Sequence, residues 1–440
     1  MNRVTGRKHH SVNYLDELFR SHPYLDHRDR ALISNLTQGV LRWRLRLDYA
    51  IDQFSDLPFI KIDRRLINIL RLALYQILFL DRIPESAAVN EAVNQARANK
   101  RTLHTSTFVN GLLRNACRHK DRIIFPDRDR DSTGYLSVYY SYPRWLVEKW
   151  ISELGEDATE NLLFAQNRLP GLNIRANTLK ISREELMARL IKDGMHAERL
   201  FCAPDGVVLE NFRGRISGLS AFKEGLFQVQ YEAAQLTSLL LGPRPGDTVL
   251  DVCAGFGGKS THMAGLMEGR GRIFALDIDA SKLVSLGRNA GRLGISCVFP
   301  VQADASVPLS SLFKREFDRI MVDSPCTGLG VLSRHPDGKW NRNEKDTDRL
   351  AGLQKIILAR AASVLRKGGE MLYVTCTVSR QENEGVVEDF LKGHGEFHLV
   401  DLKGRVPEQC ANLINQKGFF QTLPHVHNMD GFFAALFRKA

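Results

Sequence analysis

Apolar residues recur at helical spacing through about the first 125 residues of the chain. In the segment LINILRLALYQILFL, the residues Leu66, Leu70, Ala73, Ile77 and Leu80 fall on one face of a helix. The segments PESAAVNEAVNQARANK and TSTFVNGLLRNACRHK also favour helices, and strand patterns are nearly absent. The pattern therefore predicts an all-helical domain over residues 1–130.

A polar, charge-alternating segment follows this region. FPDRDRDSTG, from Phe125 to Gly134, contains both Pro and Gly and is typical of a linker. Residues 135–235 then mix helical stretches with short strand-like runs such as LNIRANTL and GVVLENF. We expect a small α+β segment there.

From residue 236 the chain alternates between short apolar runs and helical stretches. The runs TVLD, RIFALD and RIMVD end at Asp251, Asp277 and Asp323, and EMLYVTC ends at Cys376. This alternation predicts an α/β domain over residues 236–440, with a parallel sheet and crossover helices. Because such sheets bind ligands at the carboxyl ends of their strands, we expect these four side chains at the binding edge.

Composition and charge narrow the class of protein. The 440 residues are 43% hydrophobic and 25% charged, without an apolar run long enough for a membrane span or a signal peptide. The seven cysteines form no CxxC pair, so we expect neither disulfide scaffolding nor a metal site, and we expect the protein in the cytoplasm. We also expect it to be a monomer. Residues 1–150 hold 25 Lys and Arg against 16 Asp and Glu, which favours a nucleic-acid partner over a merely basic surface.

The glycine-rich turn CAGFGGKST, from Cys253 to Thr261, allows several interpretations. A phosphate-binding P-loop needs a glycine five residues before Gly258, where Cys253 stands. A dinucleotide fingerprint needs a third glycine where Ser260 stands. The turn can also serve only the junction between a strand and a helix.

S-adenosylmethionine is the third possible ligand of this turn. Glycines let backbone N–H groups approach a ligand, and an acid at the end of the next strand, Asp277, can bind ribose hydroxyls. Asp304, which follows the run CVFPVQAD, can bind the adenine amino group. The candidate cofactor-binding residues are Cys253, Ala254, Gly255, Phe256, Gly257, Gly258, Lys259, Asp277, Asp304 and Asp323.

Two cysteines follow apolar runs of the predicted sheet. DSPCTG places Cys326 three residues after Asp323, and VTCT places Cys376 at the end of the next run. Each alone can be a small buried apolar residue, but adjacent parallel strands would bring both thiols to the cofactor edge.

The motifs LDVCAGFGGKSTH, ALDID, DSPCTG, RHPDGKW and VTCTVSRQENE together resemble those of the RNA (cytosine-C5) methyltransferases. The segments LYQILFLDRIPESAAVNEAV and FVNGLLR look like a NusB-like helical domain, as in the Fmu/Sun (RsmB)-type enzymes that methylate 16S rRNA. The resemblance covers nearly the whole chain, and it implies a Rossmann-like class I methyltransferase domain with a mostly parallel seven-stranded sheet. One departure is Gly255-Phe256, where the family usually has Ala-Pro.

The resemblance also implies a mechanism. Cys376 would add to carbon 6 of a cytosine, which makes carbon 5 nucleophilic towards the methyl group of S-adenosylmethionine. Cys326 would then assist release of the product. Asp323 would hold the amino edge of the cytosine, and Lys259 would contact the base or orient Asp323.

One polar segment and two competing functions stay open at this point. In RHPDGKW, Arg334, His335 and Lys339 can contact RNA phosphates, and Trp340 can stack on a base. Alternatively, the segment can be a surface loop anchored by Trp340.

Two other functions compete with a methyltransferase. One is a P-loop nucleotide triphosphatase, and the other is a non-catalytic rRNA-binding assembly factor.

Overall fold

The computed structural model describes residues 1–6, 11–98, 103–210, 212, 214–314 and 316–440. Backbone contacts divide the chain into two units. The first, which we call the helical unit, comprises Met1–Arg168 with Leu332–Asn343. The second, the sheet unit, comprises Leu169–Val331 with Glu344–Ala440. The three-part division at residues 130 and 235 stays a prediction.

The helical unit contains no strand among its described residues, which confirms the all-helical prediction. The predicted apolar stripe lies on the helix Arg64–Phe79, where Leu66, Leu70, Ala73 and Ile77 are buried. Asp63 begins this helix by accepting a hydrogen bond from the N–H of Arg65. The α-helices of the unit are Asn2–Gly6, Ser11–Ser21, His27–Arg42, Arg44–Phe54, Arg64–Phe79, Glu85–Ala98, Leu103–His119, Ser132–Tyr140, Arg144–Leu154, Glu156–Asn167 and Gly338–Asn341.

The sheet unit begins with a small antiparallel sheet. Its strands are β1 (Leu172–Ala176), β2 (Ala197–Arg199), β3 (Gly206–Leu209) and β4 (Phe227–Val229), in the order β2-β3-β1-β4. The helix Arg183–Lys192 packs on this sheet and begins with a capping box formed by Ser182 and Glu185.

The large sheet carries the candidate site. Its strands are β5 (Thr248–Val252), β6 (Arg272–Asp277), β7 (Val298–Gln302), β8 (Phe317–Asp323), β9 (Leu365–Thr375), β10 (Phe397–Val400), β11 (Phe420–Thr422) and β12 (Phe432–Lys439). Along the sheet the order is β10-β12-β9-β8-β5-β6-β7, and β11 pairs with β12. Strands β5 to β9 pair in parallel, whereas β12 is antiparallel to its neighbours. This confirms the Rossmann-like prediction, with one additional short strand.

The strand order of the large sheet reverses between β5 and β8. From β5 the chain proceeds through β6 and β7 on one side, and it returns to β8 and β9 on the other. Ligands bind at such a reversal, outside the carboxyl ends of the strands. The remaining α-helices of the unit are Ser220–Lys223, Glu232–Leu241, Gly258–Leu266, Ala280–Leu293, Leu309–Leu312, Lys345–Ala362, Glu384–Gly393 and Pro424–His427.

Two buried cysteines of the sheet unit correct one expectation from the sequence. Cys202 and Cys410, 208 residues apart in the chain, are joined by a disulfide with their Cα atoms 5.9 Å apart. The expectation of no disulfide is therefore wrong for this pair. No local spacing marks the two residues, because they meet only when distant segments fold together. Each helix in the described part of the chain is too short or too polar to span a lipid bilayer.

Candidate active site

The turn after β5 has a left-handed backbone at three of its residues and open space beside one glycine. Cys253, Gly255 and Gly257 have φ angles of 64°, 57° and 79°, and a Cβ added to Gly257 would lie 2.5 Å from Cγ of Leu286. A Cβ added to Gly255 would meet no atom within 4 Å, so the space above the turn is open. Ala254 is buried, whereas Phe256 is 58% exposed at the tip of the turn. Burial raises the pKa of Cys253, which therefore stays a neutral thiol.

Asp277, at the end of β6, ties the next strand to this turn. Its Oδ2 accepts a hydrogen bond of 2.8 Å from the N–H of Gly255, and its Oδ1 accepts one of 2.9 Å from Asp279. A carboxylate oxygen can accept more than one hydrogen bond, so Asp277 keeps capacity for ribose hydroxyls. Asp304 lies beyond β7, is exposed, and accepts hydrogen bonds from the N–H and Oγ of Ser306.

Asp251 is a fully buried carboxyl group that the sequence indicated only as the end of a strand. Its Oδ2 accepts a hydrogen bond from Oγ of Ser260, while its Oδ1 has no partner among the described residues. Burial raises the pKa of Asp251 to about 7. A buried acceptor without a donor is costly, and a donor on a bound ligand would satisfy it.

Lys259 and Asp323 form an ion pair at the reversal point of the sheet. Nζ of Lys259 lies 2.6 Å from Oδ2 of Asp323, and the two side chains are 11% and 30% exposed. Burial lowers the pKa of Lys259, but Asp323 more than offsets this, so the pKa lies above its ordinary value. Cys376 adds to the same effect, which means that a charged ammonium group lies near that thiol. The predicted contact between Lys259 and Asp323 is thus present.

The two predicted cysteines meet at the ends of β8 and β9. Sγ of Cys326 lies 3.3 Å from Sγ of Cys376 and accepts a hydrogen bond of 3.4 Å from the N–H of Cys376. The contact with Cys376, burial and the nearby carboxylate of Glu382 all raise the pKa of Cys326. Cys326 is therefore held as a protonated thiol that can donate to the sulfur of Cys376.

The segment RHPDGKW lies in the helical unit, where it is firmly packed. Nζ of Lys339 is fully buried and donates to the carbonyl oxygens of Arg42 and Ser141 and to Oδ1 of Asn167, at 3.1, 3.2 and 2.8 Å. The indole N–H of Trp340 donates to the carbonyl oxygen of Leu41 at 2.6 Å. A phosphate contact by Lys339 is therefore ruled out, and an anchored loop is the better interpretation.

Sequence reasoning did not find every polar residue of the site. Glu382 and Asn383, within the motif SRQENE, are 0% and 1% exposed and contact the loops of both cysteines. The signal available was a cluster of polar residues directly after the run that ends at Cys376. In the described part of the chain, no group of three or more His, Cys, Asp or Glu side chains is placed to hold a metal ion.

Comparisons with known proteins indicate the same class of protein as the fold described above. Family models match three consecutive parts of the chain: the NusB family at residues 2–118, the ferredoxin-like domain of RsmF/B-like methyltransferases at 142–214, and the 16S rRNA methyltransferase RsmB/F family at 238–438. The fold and site are thus those of a methyltransferase with a NusB-like helical domain.

Individual relatives cover almost the whole chain. The probable ribosomal RNA small subunit methyltransferase B of Bacillus subtilis (strain 168) is 35% identical over 416 residues, which are 94% of this chain and 92% of that protein. A crystal structure of PH0851 is similar with a TM-score of 0.81, 29% identity and coverage of 96% of this chain and 93% of that one. NSun6 from Pyrococcus horikoshii, solved with SFG, has a TM-score of 0.61, 25% identity and coverage of 68% and 99%. The chain belongs to the RsmB/F family of ribosomal RNA small subunit methyltransferases.

Proposed function

We propose that the protein transfers a methyl group from S-adenosylmethionine to carbon 5 of a cytosine in small-subunit rRNA, through a covalent intermediate with Cys376. The observation that carries this proposal is the 3.3 Å contact between the sulfurs of Cys326 and Cys376, at the edge that also holds Lys259 and Asp323. Methylation of carbon 5 of cytosine needs a nucleophile that adds to carbon 6, and a second group that exchanges protons with that nucleophile.

The residues at the glycine turn fit S-adenosylmethionine. There is open space for a ligand above Gly255, and the carboxylate of Asp277 can accept hydrogen bonds from ribose hydroxyls. The unpartnered Oδ1 of Asp251 is a further, buried acceptor. Asp304 is expected at the adenine. When bound, S-adenosylmethionine supplies an electrophilic methyl group. The relative described with SFG and the names of the relatives as rRNA small subunit methyltransferases support the cofactor and the substrate class.

The protein's own groups would then act in sequence. Cys376, near the ammonium group of Lys259 and hydrogen-bonded by the thiol of Cys326, adds as a thiolate to carbon 6. Asp323 accepts a hydrogen bond from the cytosine amino group, and Lys259 holds Asp323 in place. After methyl transfer, the proton leaves carbon 5 as the bond between carbon 6 and the sulfur of Cys376 breaks, so that the electron pair of the C–H bond forms the C5–C6 double bond. In the same step, Cys326 gives its own proton to the departing sulfur and takes up the proton from carbon 5. The base must leave its stack to reach these groups.

The test is transfer of an isotope-labelled methyl group to a 16S rRNA transcript and to small ribosomal subunits, followed by nucleoside analysis. The expected product is labelled 5-methylcytidine from at least one of the two substrates. A label that appears only in another nucleoside, or none in either substrate, would contradict the proposal. Comparison of the two substrates also decides whether the free RNA or the ribosomal particle is methylated.

A further inference from the structure

Two consecutive buried residues connect the loops that carry the two cysteines. We call Glu382 and Asn383 the clasp. They lie six and seven residues after Cys376, but more than fifty residues after Cys326 in the chain. Their side chains are 0% and 1% exposed, so each polar atom there must find a partner inside the protein.

Glu382 holds the loop of Cys326. Its Oε1 accepts a hydrogen bond of 2.8 Å from the N–H of Thr327, and its Oε2 accepts one of 2.5 Å from the hydroxyl of Thr327. Nε2 of Gln354 donates both to Oε1 of Glu382 and to the carbonyl oxygen of Pro325, each at 3.0 Å. The residues on both sides of Cys326 are therefore fixed through one carboxylate.

Asn383 holds the residues on both sides of Cys376 in the same way. Its Oδ1 accepts a hydrogen bond of 2.5 Å from the hydroxyl of Thr375, and its Nδ2 donates to the carbonyl oxygen of Thr377 at 3.1 Å. The hydroxyls of Thr327 and Thr377 lie 2.9 Å apart and join the two loops. The separation of the two sulfurs is thus set by a continuous buried network.

The clasp also places an acidic side chain beside the loop of Cys326. Burial raises the pKa of Glu382, and hydrogen bonds from Thr327, Gln354 and Thr377 to its carboxylate partly offset this rise. The titratable groups around Cys326 are Cys376, Glu382 and Tyr373, and the charge of Glu382 contributes to the raised pKa of Cys326.

We propose that Glu382 and Asn383 are positioning residues that hold the two sulfurs in contact, and that the carboxylate of Glu382, which binds the N–H next to Cys326, disfavours a negative charge on the sulfur of Cys326. This inference rests on the proposed function, because it assigns the acid to Cys326 and the nucleophile to Cys376. The inference goes beyond the proposed function because it names the groups that give the two cysteine side chains different surroundings.

The reactivity of the two thiols in the absence of RNA tests the proposed effect of the Glu382 carboxylate on Cys326. Iodoacetamide labelling of Cys326 and Cys376 is followed by peptide mass spectrometry from pH 6 to 10, in wild type, Glu382→Gln and the matched control Glu384→Gln. Removal of the charge should raise the labelling rate of Cys326 on the order of tenfold at pH 8, which corresponds to one pKa unit. The control should match wild type. An unchanged pH profile of Cys326 in Glu382→Gln would overturn this part of the inference.

Methyl transfer tests the positioning. In Thr327→Val, which keeps the charge of Glu382 but removes one donor, kcat should fall at least about tenfold while KM for RNA stays within about twofold. Because this variant removes a single hydroxyl, it also serves if Glu382→Gln does not fold. Wild-type kcat in Thr327→Val would overturn the positioning role. If wild type itself makes no 5-methylcytidine, the proposed function fails, whereas the labelling result still decides whether Glu382 controls Cys326.

Discussion

Lys259 and Asp323 join the helix after the glycine turn to the end of β8, with 2.6 Å between Nζ and Oδ2. This ion pair lies at the point where the strand order reverses, so it connects the expected cofactor turn to the loop of Cys326. The pair orients the carboxylate that we expect at the amino edge of the cytosine, and it supplies a positive charge near Cys376.

The first prediction concerns this pair. Lys259→Met keeps the length of the side chain but removes the charge, so Asp323 loses its partner and Cys376 loses a nearby cation. Methyl transfer should fall by about 100-fold or more, as when a preorganised charge is removed from an active site. The assay is transfer of labelled methyl groups to the RNA. Lys367→Met, at an exposed position before the buried part of β9, is the control; equal rates in both variants would contradict the role of Lys259.

The second prediction concerns the cofactor. Asp277→Ala removes a carboxylate that we expect at the ribose, and it also releases the N–H of Gly255. Affinity for S-adenosylmethionine should fall by about 2–3 kcal/mol, measured by calorimetry. Asp389→Ala, which breaks only a surface ion pair with Lys355, should bind like wild type. Unchanged affinity in Asp277→Ala would place the cofactor elsewhere.

The third prediction concerns pH and Asp251. The folded protein raises the pKa of Asp251 to about 7, above its ordinary value of 3.8, so between these values the folded state holds a proton that the unfolded state lacks. The contribution of this group to stability is therefore present at low pH and is lost as pH rises towards 7. The melting temperature of Asp251→Asn minus that of wild type should increase from pH 5 to pH 8. Parallel melting curves over this range would show that Asp251 does not titrate there.

The fourth prediction concerns RNA binding by the helical unit. Arg114 and Arg118 are exposed on the helix Leu103–His119, in the part of the chain with the largest excess of positive charge. If both contact phosphates, Arg114→Gln with Arg118→Gln should reduce the slope of log affinity against log salt concentration by about 1.4, or about 0.7 for each lost contact with a single strand. Lys392→Gln with Lys403→Gln, exposed in the sheet unit, is the matched control. Equal slopes in both double variants would contradict the assignment.

Local features of the sequence predicted the sheet and most of the site. The acids at the ends of β5, β6 and β8 and the positions of Cys326 and Cys376 follow from short apolar runs, because parallel strands bring their carboxyl ends to one edge. The contact of Lys259 with Asp323 followed from the family motif.

Structural features that depend on contacts between residues far apart in the sequence could not be predicted in this way. Lys339 was expected at the surface, but its ammonium group is buried by three oxygens from other parts of the helical unit. Glu382 and Asn383 were not selected, since polar residues after a strand are usually solvated, and only the folded loops show that they are enclosed. The cofactor-binding and catalytic roles of all the predicted site residues, Asp304 and Phe256 included, stay predictions.

In the proposed reaction, Cys376 is the nucleophile and Cys326 is the residue that releases the product. The most direct measurement is denaturing gel electrophoresis of Cys326→Ala and Cys376→Ala after incubation with S-adenosylmethionine and the RNA substrate. Cys326→Ala keeps the attacking sulfur and lacks the acid, so we predict a covalent protein–RNA species that depends on the target cytosine. Cys376→Ala should give none. An adduct from Cys376→Ala and none from Cys326→Ala would reverse the two roles, and no adduct from either variant would contradict the covalent mechanism.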